Sequence, residues 1–212
     1  MAYDENVFIN CPFDGEYQSL FRAMVFAIQI CGFIPRSALE LDDGTEVRIG
    51  KIARIIAESR YGIHDLSRTE LDPGSHLPRF NMPLEPGLFL GAKIYGEAVH
   101  RRKAAIIFDR DQYRYQAFCS DIAGQDIRAH DGAEADLVRA VRNSLSTWRP
   151  ERILPSGSII HKQYRRFLRA LPRTAAKTRT RVPELTFNDL TRLVDEWLIA
   201  DRPEEMVRAV AG

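Results

Sequence analysis

The order of apolar runs and helix-spaced stripes predicts an α/β fold: a parallel sheet with helices on both faces, followed by a C-terminal helical extension. Three observations carry this. Short β-branched or aromatic runs alternate with segments whose apolar residues recur every three or four positions. The run Ala104-Ala105-Ile106-Ile107-Phe108-Asp109 is apolar almost to its end, as a strand buried on both faces is. Beyond Arg149-Pro150 and Leu154-Pro155-Ser156-Gly157 only helical patterns remain, so the α/β domain covers residues 1–155 and the extension 156–212.

Val7-Phe8-Ile9 is the first strand, closed by the loop Asn10-Cys11-Pro12-Phe13-Asp14-Gly15. Tyr17, Leu20, Phe21, Met24 and Ile28 form the stripe of a helix that Gly32 stops. Phe33 to Leu39 is a second strand, and Pro35 places it at an edge. After the turn Asp42-Asp43-Gly44, Ile49, Ile52, Ile56 and Ser59 share a face of the second helix. Tyr61 to Leu66 is the third strand, Pro83 to Tyr95 the third helix, and Ala104 to Asp109 the fourth strand. Tyr113 to Ile122 reads as helical, Asp126 to His130 as a short last strand, and Leu137, Val141, Leu145 and Trp148 as a further helix. In the extension, Ile160, Tyr164, Phe167 and Leu171 mark one helix. Thr186-Phe187-Asn188-Asp189 caps another, and Pro203-Glu204-Glu205 opens a short last one.

Bulk properties narrow the function classes. Hydrophobic residues are 45% and charged residues 28%, the profile of a globular protein with a core. A formal net charge of +1 supplies no global field toward nucleic acid or an acidic membrane. The basic segment Arg165, Arg166, Arg169, Arg173, Lys177, Arg179 and Arg181 could bind nucleic acid or a phosphorylated partner, but with only Tyr164 and Phe167 interleaved it reads by default as a solvated face. No apolar run approaches the roughly 20 residues of a membrane span. Cys11, Cys31 and Cys119 are odd in number and scattered, which fits a reducing cytoplasm and argues against a zinc cluster. Met1 to Asn6 lacks the basic and apolar regions of a signal peptide, so the expected location is cytoplasmic. No GxxxxGK[ST] loop occurs, which disfavours an NTPase.

In parallel sheets ligands sit beyond the carboxyl ends of the strands. Asn10 to Asp14, Asp65 to Ser67 and Asp109 to Asp111 all follow strand ends and therefore meet at one edge. Glu85, at the start of the third helix, is the main catalytic candidate. A charged carboxylate there can attack an anomeric carbon or shield an oxocarbenium charge, and nearby helix N–H groups would favour its charged form. A capping glutamate is the alternative. Pro86 is tolerable only in the first helical turn, which pins the helix start close to Glu85. Asp65 can hold a ribose hydroxyl, handle a proton at a base, or simply accept loop N–H donors, and Ser67 presents the same choice. His64 adjoins Asp65, but neighbours in a strand face opposite sides, so the two do not form a dyad. Asn81 caps the third helix or meets a substrate hydroxyl, and Arg79 clamps a phosphate or stays solvated. The Asn10–Phe13 loop can hold a base or phosphate edge, with Pro12 shaping it and Phe13 as a stacking face. Cys11 reads as a buried small apolar residue.

Two stretches carry a resemblance. Phe8-Ile9-Asn10-Cys11-Pro12-Phe13 resembles the opening strand and loop of nucleoside 2-deoxyribosyltransferase-like proteins. Asp65-Leu66-Ser67, then Asn81-Met82-Pro83-Leu84-Glu85-Pro86-Gly87 and Gly91, resembles the D-[LI]-[ST]…N-V-x-x-E-x-G-x-x-x-G pattern of that group and of TIR-like nucleotide-binding domains. The likeness spans about the first half of the chain. It implies a flavodoxin-like (TIR-like) fold and N-glycosidic bond cleavage in NAD or a nucleoside monophosphate, with the nucleotide as substrate and no other cofactor. It also implies that Glu85 acts at the glycosidic carbon and Asp65 near the base, in a homo-oligomer serving bacterial defence or signalling. Phe8 stands where transferases often have tyrosine, Pro86 replaces a helix former, and the loop from Ser67 to Phe80 is long. Binding of a nucleotide without catalysis, or assembly through the helices, are the rival readings.

Overall fold

Strands β1 (Asn6–Asn10), β2 (Ile34–Ser37), β3 (Tyr61–Asp65), β4 (Ala104–Asp109) and β5 (Arg128–Ala129) form one parallel sheet in the order β2-β1-β3-β4-β5. This is the flavodoxin-like order, and its direction reverses between β1 and β3. The computed structural model describes residues 3–40, 43–71, 74, 76–122 and 124–201. The helix expected from Pro203 lies outside them, as does Asp42 of the expected turn.

Alternate residues of β1 face opposite layers. Val7 and Ile9 join a large core with helix α1 (Gln18–Ile30), while Phe8 packs with Ile52, Ile55 and Ile56 of α2 (Arg48–Ala57) and Phe89 of α3 (Asn81–Tyr95). Gly62 in β3 admits this second layer closely. A Cβ there would lie 2.7 Å from His64 Nε2 and 3.0 Å from the Phe89 ring.

Helix α1 is apolar nearly all round, from Ala23 to Ile28, so one apolar partner cannot satisfy it. The sheet covers one side. Helices α4 (Glu134–Trp148), α5 (Gly157–Lys177) and α6 (Phe187–Ala200) cover the rest. Phe26 meets Tyr164, Phe167 and Trp197 at ring separations of 5.6, 5.4 and 5.5 Å. One continuous core therefore runs from the sheet into the last helices. The Thr186 and Asp189 capping box starts α6 as its sequence demands.

Three segments differ from expectation. Helix α3 starts at Asn81, ahead of Pro83, with Phe80 at the cap and no side-chain cap bond, so Asn81 does not cap it. Pro86 consequently lies in the second turn rather than the first. In place of a helix from Tyr113 to Ile122 there are two short 3-10 turns, Arg114–Ala117 and Ser120–Ile122. Tyr113 adopts φ 67°, and Arg114 is drawn to Asp109 and the Leu66 carbonyl, which breaks the turn pattern at its start. The last strand is only Arg128–Ala129.

Candidate active site at the carboxyl edge of the sheet

Asp65 ends β3 on the α1 side, fully buried. Its Oδ1 accepts the Ser67 N–H at 2.8 Å, and its Oδ2 accepts the Tyr17 hydroxyl and, at 2.9 Å, His130 Nε2. The Gly132 N–H donates to His130 Nδ1 at 3.0 Å, which fixes the tautomer: the hydrogen sits on Nε2 and points at Asp65. Burial alone would raise the Asp65 pKa. The bonds from His130, Tyr17 and Ser67 outweigh it and hold the carboxyl below its usual range. Tyr17 responds in the opposite sense, its hydroxyl pushed well up by burial and by the Asp65 charge.

His64 points the other way, between the rings of Phe8 and Phe89, and both of its ring nitrogens are buried without a hydrogen-bond partner among the described residues. The histidine partner of Asp65 is thus His130, sixty-five residues on, and not its neighbour. The rule that located Asp65 also applies to His130, because both follow a strand's carboxyl end. The two-residue length of β5 weakened that signal. Tyr17 was legible only as part of the α1 stripe.

Beyond Tyr17 and His130 opens a cleft of about 580 Å³. Ser67 lines it, as do Arg68, Arg79 and Arg110, with Glu16 and Glu70 between them. Arg79 pairs with Asp14 at 2.9 Å and Arg110 with Glu70 at 2.9 Å, while Arg68 pairs with Glu16 at 2.5 Å and reaches Asp14 at 3.6 Å. These arginines are about one-third to one-half exposed. Such pairs hold little energy, so an incoming phosphate can take the guanidinium groups at small cost. Behind them Asp109 accepts from Arg114 Nε at 2.9 Å and from the Arg110 N–H at 2.7 Å. Its burial nevertheless raises its pKa.

The other sequence-selected residues lie around this cleft rather than on its lining. Phe13 packs edge-on against Phe21 at 5.5 Å, and Pro12 is buried. Asn10 is buried and donates to the Met82 carbonyl at 3.0 Å. Asn81 is exposed at the first position of α3. Glu85 is buried on the α3 side, five residues into the helix and past its free N–H groups. Burial, only partly offset by the Arg48 charge, pushes its carboxyl up to about 7, the reverse of the helix-start expectation. Asp65 and Glu85 both lie close enough to Cys11 to add to the burial that drives this thiol's pKa up. Two acceptors at this edge, Asn10 Oδ1 and Asp109 Oδ2, are buried with no hydrogen-bond partner among the described residues. No group of three or more His, Cys, Asp or Glu among the described residues can hold a metal ion. No described helix is long and apolar enough to cross a membrane.

The fold and the edge define a flavodoxin-like α/β protein with a polar, arginine-lined cleft at its topological switch point. No protein-family model, curated protein or solved structure matches the chain.

Proposed function

We propose that the cleft takes a nucleotide and that the protein breaks its N-glycosidic bond, with Glu85 acting at the sugar–base linkage. NAD or a nucleoside monophosphate is the substrate class. What carries this reading is a pair of unlike carboxyl groups at one sheet edge: Asp65 is held by three donors, whereas Glu85 is buried with no hydrogen-bond donor among the described residues. Environments that separate two carboxyl groups in this way separate an acid from a base. Arg68, Arg79 and Arg110 suit the phosphate. Asp65 is fully buried and off the cleft lining, so it acts through Tyr17 and His130 by holding them. In hydrolysis the C1′–N bond breaks with its electron pair going to the base and water oxygen bonds to C1′; the proton lost by the water passes to the departing base of a nucleoside monophosphate, or, for NAD, whose nicotinamide leaves neutral, to a carboxylate and then solvent. A homo-oligomer and a role in defence or signalling accompany this reading through the family resemblance.

One observation favours a second reading, nucleotide binding without turnover. Glu85 is outside the cleft lining and only 5% exposed. Incubating the protein with a panel of nucleotides separates the two. Release of free base supports cleavage. Thermal stabilisation by a nucleotide with no free base supports the sensor.

A further inference from the structure

Helix α5 contains no aspartate or glutamate over its 21 residues and carries six lysines and arginines. The whole chain has a net charge of only +1, so everything outside this helix is net acidic and the bulk figure hides a strongly polar distribution. The buried stripe of α5 is Ile160, Tyr164, Phe167, Leu171 and Ala175. Lys162, Arg165, Arg169, Arg173 and Lys177 are all exposed. At 3.6 residues per turn these five fall within about 120° of arc, directly opposite the buried stripe. They form a ridge about 22 Å long, with successive cations about 6 Å apart.

Little on the protein neutralises this ridge. Arg166 is committed to Asp201 through bonds of 2.7 and 3.0 Å and leans on the Trp197 ring. Arg165 reaches Glu134 at 3.6 Å. For Lys162, Arg169, Arg173 and Lys177 no carboxylate lies within ion-pair distance among the described residues. Holding so many like charges in one row costs self-repulsion, which a polyanion would relieve.

We propose that the exposed face of α5 is a docking surface for the phosphate backbone of a nucleic-acid duplex. The chemistry selects among polyanions. A membrane-surface helix needs a broad apolar face beside its cations to enter the lipid, and here Ile159 is the one large apolar side chain exposed on the basic side, the others facing the core. Single strands are held by stacking on exposed aromatic rings, and the ridge presents none, since Tyr164 and Phe167 are buried. A duplex asks only for regularly spaced cations, arginine above all, which give affinity without sequence readout. The ridge covers about six base pairs at 3.4 Å each. It is independent of the cleft, because no ridge residue lines that site.

The test is fluorescence anisotropy of the full chain with a labelled DNA duplex of about 20 base pairs, titrated at about 50 to 200 mM salt. The expected result is binding at low salt, with log K falling against log salt at a slope of about −4.5, for five phosphate contacts. The triple variant R165E/R169E/R173E is expected to lose about a hundredfold in affinity, and R165Q/R169Q/R173Q to reduce the slope by about three. Circular dichroism checks each fold, and K162E/K177E replaces any variant that fails to fold. Absence of duplex binding at the lowest salt overturns the proposal, and so does unchanged affinity in a folded variant. Binding to phosphatidylserine vesicles without binding to the duplex overturns it in favour of an anionic membrane.

Discussion

The side-chain amide of Asn10 donates to the backbone carbonyl of Met82 at 3.0 Å, and this is the carbonyl that Pro86 leaves without its helical donor. An ordinary residue at position 86 would donate its N–H to Met82. With proline there, the acceptor is orphaned inside the protein, and the end of β1 supplies the replacement. One bond thus permits Pro86 in the second turn of α3 and ties α3, with Glu85, to the carboxyl end of β1.

Asn10→Leu should therefore destabilise the protein by about 1–3 kcal/mol, the cost of a buried carbonyl left unpaired. In a Pro86→Ala background the helix recovers its own donor, and the same substitution should cost clearly less. Urea melts of the two single variants and the double variant give the coupling. Strict additivity would detach Asn10 from Pro86.

The Asp65 carboxyl is held below its usual range, so its contribution to stability is present above the unfolded pKa and is lost as pH falls through the folded value. Asp65→Asn keeps the shape but removes the charge that three donors share. It should cost about 2 kcal/mol at neutral pH, and the gap to wild type should close in strong acid. A gap of equal size at pH 3 and pH 7 would mean that the charge is not what the donors stabilise.

Glu85 has the opposite sign. Its folded pKa is raised to about 7, so folding loses stability as pH climbs from the unfolded value through that figure. Glu85→Gln should match wild type near pH 4 and exceed it at pH 8 by about 2–3 kcal/mol. Thermal melts at the two pH values measure this, and a variant less stable than wild type at pH 8 would place an unrecognised cation against the carboxylate.

The sequence made much of the order of strands and helices legible because β1 and β4 are mainly apolar runs buried on both faces and clear helical stripes follow β1 and β2. It also showed why Asp65 and His64 part company, since strand neighbours diverge. It did not show the start of α3, because the compensating donor for Pro86 comes from Asn10, seventy-two residues before Met82. It did not show His130 as the partner of Asp65, because the strand expected over Asp126 to His130 carried only a weak signal and the contact is long-range. Local pattern carries element type, whereas the carboxyl-edge network depends on which loops the sheet order brings together.

The last helices complete the core of the first. Phe167→Ala removes a ring that packs on Phe26 and Trp197 and should cost about 3–5 kcal/mol. Deleting residues after Pro155 bares the outer face of α1 and should give aggregation or a new oligomer, read by light scattering. A soluble, folded, unchanged mass state would show that the extension is a tethered accessory.

The central claim is that the Glu85 carboxyl acts at a glycosidic bond, and its most direct test is base release by Glu85→Gln on whichever nucleotide the wild type cleaves. The amide keeps size and reach but removes the charge and the exchangeable proton. The account predicts that turnover falls by about a hundredfold or more while nucleotide binding and fold persist. Unchanged turnover in the variant would contradict it and remove Glu85 from the chemistry.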